Sequence, residues 1–388
     1  MDVLYFCSPP LLDYSAEQIK DLKQHVNLHV IVWVSLQTPG HTIFNLEEGA
    51  DFDGIYRFDS IKSSIKNVKL FEVYFEGCVS VHFVFFPIKI GLNIFRISKA
   101  LLETVSTLNP EIVHFDDISG RLLIFALLLK NRCIVLNVHD PVAHSGEQNL
   151  GYVIMRKILF RRIAAFATFS EYSRLLFHKV FHPKVPVADL RLVPYYCYKA
   201  LRAEKIPEIT KRPNEIVFLF FGRLSPYKGI DELLYAFSKV FQNYPEVRLV
   251  IAGKGSFSYM VPEVLVNSSS LVTINRFIAD SEIKSLFEQA DVIVCPYRDA
   301  TQSGVLMTAA AFQTPVIVSN VGALSEYIKD GGKGYVYDLN DERGLENCLI
   351  QYLTDYSSTN MLVAVTEDTA VSRNSQLLVD LYTQLLGR

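Results

Sequence analysis

Two cations five residues apart, Arg223 and Lys228, lie in a segment whose residue types suit a diphosphate: Phe218-Leu-Phe-Phe-Gly222-Arg223-Leu224-Ser-Pro-Tyr227-Lys228-Gly229-Ile230. An apolar strand runs into a glycine, a proline-containing loop follows, and an amphipathic helix is expected from Ile230 to Val240. Gly222 lets the backbone approach a ligand closely. The helix start offers unpaired N–H groups and the positive end of the peptide dipoles, to which the two side chains add full charges. An ordinary strand-loop-helix connection with solvated cations fits the same residues, so the rest of the chain must decide.

Other expected strand ends carry further candidates. Asp291-Val-Ile-Val-Cys-Pro-Tyr297 reads as a strand that enters a polar loop with Asp299, Thr301 and Gln302, and Ser303 stands at the start of a helix expected over 303–312. Ser303 can cap that helix while the amides of Gly304 and Val305 point outward, which makes a second anion cradle. The run Cys133–Val138 ends in His139-Asp140-Pro141, and Ile112–Phe115 leads into Asp116 and Asp117. A histidine just past a strand end can donate to a sugar hydroxyl or phosphate, and an aspartate can accept from a hydroxyl. The alternative is a structural turn in which Asp140 bonds its own backbone ahead of Pro141.

Asp51-Phe52-Asp53 has the Asp-x-Asp spacing of metal-dependent sugar transferases, but it sits in a glycine-bearing loop and reads as a solvated turn. A helix expected over 152–166 carries Arg156, Lys157, Arg161 and Arg162 beside Ile154, Met155, Ile158, Leu159 and Ile163. That face suits an anionic membrane surface or, equally, a core helix with a solvated side. Glycine-rich dinucleotide and P-loop patterns are absent, which argues against a dehydrogenase or an NTPase.

The elements that must position these residues alternate in type. In the first half, apolar runs at Val3–Phe6, Leu28–Val34, Val68–Phe75, Ile112–Phe115, Cys133–Val138 and Ala165–Phe169 are separated by helix-sized intervals, the pattern of β-α units around a parallel sheet. The second half repeats it with strands at Ile216–Phe221, Arg248–Ala252, Val272–Asn275, Val292–Cys295, Pro315–Ser319 and Gly334–Tyr337. Helices are expected near 230–241, 281–289, 303–312 and 341–355. Tyr198–Asn214 loses periodicity and reads as a linker, so the domains are 1–200 and 201–371. The stretch 372–388 has apolar residues at helical spacing and can pack on either domain; we carry it as returning to the first. The fold class is α/β, two doubly wound Rossmann-like domains whose ligands belong beyond the carboxyl ends of the strands, in a cleft between them.

The chain has 388 residues, 20% of them charged, and a net charge of −3, so nucleic acid is not an expected partner. Its six cysteines lie far apart, with no metal-ligand rhythm, and read as buried thiols of a reducing, cytoplasmic compartment. The beginning lacks the basic region and apolar run of a secretory signal, and Cys78–Phe95 is too broken by polar residues for a clean membrane span; it reads as strand, turn and helix.

These motifs together resemble glycosyltransferase family 4, retaining enzymes of the GT-B fold. The likeness is nearly continuous over Phe218–Ile230, Arg248–Gly255, Val272–Phe277, Leu286–Tyr297, Gln302–Asn320 and Val321–Tyr337, and looser through Val113–Asp117, Val138-His139-Asp140, Phe169–Tyr172 and Leu192–Pro194. The resemblance implies that Arg223 and Lys228 hold the donor diphosphate and stabilise its growing charge without a metal or cofactor. Amides at Ser303–Val305 would assist, Arg276, Phe277 and Ile278 would contact the nucleotide base, and His139 would lie near the donor sugar or acceptor, with Asp116, Asp117 and Asp140 on the acceptor side. A UDP- or GDP-type sugar would pass, with retention, to a glycan or lipid-linked acceptor in bacterial surface polysaccharide synthesis, with peripheral contact at the inner face of the cell membrane. One departure is plain: the family's Glu-x7-Glu pair falls on Ala300 and Thr308. Asp299, Thr301, Gln302 and Thr308 are left as substitutes, and a catalytically silent binding or scaffold protein of the same fold stays open. Glu326 matches a separate family glutamate.

Overall fold

The computed structural model describes residues 1–35, 43–87, 91, 93–118, 120–129, 131–142, 150–256, 258–357 and 369–387. The chain divides into two units, Met1–Val193 with Asp368–Arg388, and Pro194–Glu367. The polar stretch read as a linker is part of the second unit: Ile206 and Ile209 are buried, and Arg248 donates to the carbonyls of Glu208 and Thr210.

Unit 1 holds β1 (Asp2–Cys7), β2 (Asn27–Ser35), β3 (Gly54–Arg57), β4 (Ser80–Phe86), β5 (Ile112–Phe115), β6 (Cys133–Asn137), β7 (Ala165–Thr168) and β8 (Val187–Asp189) in one sheet of order β3-β4-β2-β1-β5-β6-β7-β8. All pairs are parallel except β3 with β4. Strands buried on both faces are apolar, as Val3–Phe6 is, with helices covering each side, and Ile112–Phe115 admits His114 only with a hydrogen-bond partner on each ring nitrogen. The helix Asn93–Leu108 buries Ile97, Leu101 and Val105, one turn apart, against Phe115 and Phe125; each such side chain contributes roughly 1.5–3 kcal/mol of transfer free energy. The helix Thr369–Leu385 packs on Leu12–Leu22 and on β8, so the C-terminal segment belongs to unit 1.

Two expectations fail here. Val68–Phe75 is a helix, not a strand: its buried residues Leu70, Phe71, Tyr74 and Phe75 fall on one helical stripe. The basic helix ends at Phe160, not 166, because the chain must turn through Arg161 and Arg162 to begin β7 at Ala165. Of the cysteines, Cys7, Cys197, Cys295 and Cys348 are buried, while Cys78 and Cys133 are half-buried; all are free thiols.

Unit 2 holds β9 (Ile216–Phe221), β10 (Val247–Ala252), β11 (Leu271–Ile274), β12 (Val292–Cys295), β13 (Val316–Ser319) and β14 (Gly334–Tyr337), all parallel, in the order β11-β10-β9-β12-β13-β14. The connection from β9 turns one way to β10 and the chain later returns to β12 on the other side. That switch point is where loops leaving the carboxyl ends diverge and leave room for a ligand.

Candidate functional site

The loops at the β9–β12 switch are built against one another through glycine. Gly253, at φ +149°, lies so close to the first loop that a Cβ there would stand 1.7 Å from the Gly222 carbonyl oxygen. Leu224 N–H donates to Lys254 O (3.0 Å), and Gly222 N–H donates to Ala252 O (3.0 Å). Gly229 is left-handed (φ +65°) and its Cβ would stand 1.9 Å from Pro296 O, so the residue after Lys228 must lack a side chain for the β9 and β12 loops to meet. Arg298 N–H donating to Tyr227 O (2.7 Å) ties the same loops. The second cradle arrives at the same place: the nearest atom to a Cβ built on Gly222 is Val305 Cγ2, at 3.9 Å.

Lys228 lies over the face of Tyr297, its Nζ 3.5 Å from the ring centroid. A cation so placed is held by the ring quadrupole and poorly hydrated. Burial pulls the Lys228 pKa down to about 8, and neighbouring Arg223 works in the same direction against Cys295. Arg223 is exposed. The helix Gly304–Phe312 opens at an exposed Gly304 and a half-buried Val305, and Tyr195 closes the far side, its Cε2 3.1 Å from where a Gly304 Cβ would be. Ser303 occupies the N-cap position without the expected side-chain cap; its hydroxyl is turned instead to the buried Tyr297 phenol.

Several expected contacts are committed elsewhere. The Arg276 guanidinium forks onto Glu282, with both bonds at 2.7 Å, and reaches Phe277 O (3.0 Å). Glu282 also accepts from Ala279 N–H, so the bonds that Arg276 makes fasten the start of Asp280–Gln289. Ile278 is buried in the core, leaving half-buried Phe277 as the member of that trio with a face to offer. Thr308, at the second glutamate position, donates its hydroxyl back to Gly304 O (3.1 Å), and Ala300 and Thr301 are buried. Asp299 and Gln302 are half-buried in the loop. Sequence reasoning missed Asn275, whose side chain accepts from Gly255 N–H (3.2 Å), and Tyr297, the platform under Lys228. An aromatic residue two positions past a buried strand was the available sign for Tyr297.

In unit 1 a cavity of about 260 Å³ opens beyond β1, β2, β5 and β6, lined among others by Ser8, Trp33, Asp117, His139, Asp140 and Arg156. His139 Nε2–H donates to Asp116 Oδ1 (3.0 Å), and its ring stacks on Phe169 at 4.5 Å. Burial opposes a charged imidazole, but Asp116, by charge and by hydrogen bond, with Asp117 and Asp140 behind it, outweighs burial and holds the His139 pKa above its ordinary value. Asp116 is fully buried, so it orients His139 and does not face the cavity as the acceptor-side reading required. Burial alone would raise its pKa, yet His139, Ser15 and Asn137 together lower it. Asp117 shows the opposite balance, with burial pushing its carboxyl up. Asp140 accepts through its backbone carbonyl from Arg156 (2.9 Å), which turns one cation of the basic helix inward.

Residues 202–367, within unit 2, match the family model described as Glycosyl transferases group 1. An uncharacterized glycosyltransferase of Methanocaldococcus jannaschii is 34% identical over 132 residues, covering 33% of this chain and 34% of the relative. The D-inositol 3-phosphate glycosyltransferase of Segniliparus rotundus is 28% identical over 137 residues, 34% of this chain and 30% of the relative. The chain thus spans about a third of the length of these curated relatives. Among solved structures, Anabaena Alr3699/HepE in complex with UDP and glucose superposes with a TM-score of 0.59 at 15% identity, over 100% of this chain and 98% of that one. The fold is that of the GT-B glycosyltransferases.

Proposed function

We propose that the chain is a glycosyltransferase of family 4 that binds a UDP- or GDP-type sugar in unit 2 and transfers it, with retention and without a metal, to a glycan or lipid-linked acceptor in bacterial surface polysaccharide synthesis. The observation that carries this reading is the meeting of two backbone cradles at the β9–β12 switch, Gly222–Gly229 and Ser303–Val305, with Lys228 between aromatic rings beside them. Backbone N–H groups and fixed cations suit a diphosphate because they stabilise charge on the leaving oxygen without reorganising. In the reaction the acceptor oxygen bonds to the anomeric carbon, the bond from that carbon to the phosphate oxygen breaks, and the acceptor proton passes to the departing nucleoside diphosphate. His139, oriented by Asp116 and with its pKa raised by it, serves as a hydrogen-bond partner to the sugars. Calorimetry against UDP, GDP and ADP tests the site: micromolar binding of one of them, lost in the Arg223→Ala/Lys228→Ala double variant, is expected, and binding indifferent to that change sinks the assignment. The anomer of the product, read by NMR, tests retention, and an unchanged rate in EDTA tests independence from metal.

A second reading follows from Ala300 and Thr308. Neither position offers a carboxylate, and the Thr308 hydroxyl is spent on its own helix, which suits a protein that binds a nucleotide sugar without turning it over. Hydrolysis of the bound donor over hours argues against this; retention of intact donor across a panel of acceptors favours it.

Contact with a membrane surface is read from the helix Leu150–Phe160, where Ile154 and Ile158 are 53% and 47% exposed one turn apart, beside exposed Lys157, Arg161 and Arg162. Apolar side chains flanked by cations suit an anionic interface. Sedimentation with vesicles containing phosphatidylglycerol, but not with phosphatidylcholine alone, is expected, and its persistence in Ile154→Asp/Ile158→Asp removes the helix from the argument. Among the described residues no helix is long and apolar enough to cross a membrane.

A further inference from the structure

A line of buried side chains runs from the C-terminal helix to the cavity histidine. Tyr382, in Thr369–Leu385, bonds His114 Nδ1; His114 Nε2 lies 2.8 Å from Asn137 Oδ1; Asn137 Nδ2 lies 2.7 Å from Asp116 Oδ1; and that same oxygen receives His139 Nε2–H. His114, Asp116, Asn137 and Tyr382 are each at most 3% exposed. The direction of every proton follows from one group. An ionised carboxylate only accepts, so Asn137 must present its amide N–H to Asp116 and its carbonyl to His114. His114 must then carry its proton on Nε2, its Nδ1 must accept, and the Tyr382 hydroxyl must donate. Burial drops the His114 pKa to about 4 against the support of Asn137 and Asp116, which agrees with a neutral ring.

We propose that Asn137, His114 and Tyr382 are positioning residues for His139, holding the Asp116 carboxylate in the one orientation that aims the His139 ring at the cavity. A flipped Asn137 amide would set its carbonyl against the carboxylate, and the Nε2–H of His114, bonded to the Asn137 carbonyl, locks the orientation that the carboxylate favours. The helix that supplies Tyr382 is therefore part of the apparatus that sets the histidine, although its tyrosine lies 268 residues along the chain from His114. Ser15 donates to the other Asp116 oxygen, and Tyr14 and Phe169 clamp the His139 ring from its edge and its face. This proposal rests on the reading of His139 as a group that meets the substrate.

The test uses the whole chain, with His114→Leu, His114→Gln, Asn137→Leu and Tyr382→Phe. Proton NMR of the imidazole N–H region, assigned with His139→Ala, shows in the wild type a slowly exchanging His139 Nε2–H resonance; removing a hydrogen bond to a charged group should speed its exchange about tenfold or more in Asn137→Leu and His114→Leu. Glutamine supplies an N–H in place of Nε2, so His114→Gln restores slow exchange. In transfer assays the two leucine variants lose about tenfold to a hundredfold in kcat with donor KM unchanged, and Tyr382→Phe, which removes a neutral bond, loses about threefold to tenfold. An unchanged resonance in both leucine variants overturns the proposal, as does equal damage from His114→Gln and His114→Leu, or a loss that appears in donor KM alone. Should the wild type transfer no sugar, the glycosyltransferase reading fails, and the resonance still decides the relay by itself.

Discussion

Donor binding should weaken as pH rises through the Lys228 titration. Burial over Tyr297 brings the Lys228 pKa to about 8 in the free protein, whereas a bound diphosphate favours the ammonium and raises it. Binding then takes up a proton above pH 8. A group with that pKa is about nine-tenths charged at pH 7 and about one-tenth charged at pH 9, so Kd for the cognate nucleotide sugar should rise about tenfold between them. The diphosphate of a nucleotide sugar is a diester with no proton to lose in this range, and the base N–H that begins to ionise toward pH 9 affects wild type and variants alike, so calorimetry or fluorescence titration in matched buffers reads the lysine from the difference between them. Lys228→Arg, charged at every pH used, should flatten the dependence. Lys228→Met should flatten it as well while binding about ten to a hundred times more weakly at pH 7, the worth of a hydrogen bond to a charged group. Stability must move the opposite way: the folded pKa lies below the unfolded one, so between pH 8 and lysine's ordinary range the unfolded chain binds more protons and the empty protein gains stability as pH rises. A wild-type Kd that stays flat from pH 7 to 9, or a slope that survives in Lys228→Arg, refutes the placement of this lysine at the diphosphate.

Three further outcomes follow from the same geometry. Gly229→Ala forces a side chain into left-handed backbone and toward Pro296 O, and chemical denaturation should show a loss of about 2–4 kcal/mol, with donor binding impaired because the two loops part. His114, neutral when folded with its pKa near 4, gives stability that is present above its unfolded pKa and is lost as pH falls from about 6.5 toward 4; on the order of 3 kcal/mol should disappear across that window, and His114→Gln should remove that share of the slope in thermal melts. Arg276→Ala should leave the preference among UDP, GDP and ADP unchanged while costing about 1 kcal/mol through Glu282, as measured by calorimetry and by urea denaturation. A change in base preference would return Arg276 to the nucleotide site.

The parts of this protein that were legible in its sequence are those fixed by local rules. The four inner strands of unit 2 were visible because a strand buried on both faces reads as a nearly unbroken apolar run, the two edge strands because their short apolar runs sit at the same helix-sized spacing, and the Gly222–Gly229 loop because close backbone approach demands glycine. Val68–Phe75 misled because a largely apolar stretch of eight residues reads as a strand, although Lys69 and Glu72 interrupt it and its buried residues fall on a helical stripe. Two short strands, Gly54–Arg57 and Val187–Asp189, carry too few residues, and too few buried ones, to show a period. Site contacts were harder still. The family resemblance placed Arg276 at the nucleotide base, yet a glutamate six residues on takes its guanidinium, a competition that residue type alone does not decide. The pairing of His139 with Asp116 joins the ends of two separate strands, and no periodicity within either one announces it.

Unit 1 is discontinuous along the chain, and this bears on how a ribosome can deliver it. Its sheet is complete when Val193 has been made, but Tyr382, Ser375 and Asn374, which satisfy His114, Gln18 and Arg191, arrive only after the whole of Pro194–Glu367. At common elongation rates of about 5–20 residues per second, that interval lasts roughly ten to thirty-five seconds. Through it the nascent sheet lacks the helix that covers and satisfies these groups, a state that favours opening. The second unit, contiguous and self-contained, has no such wait, so it can reach its native state while the first is still incomplete.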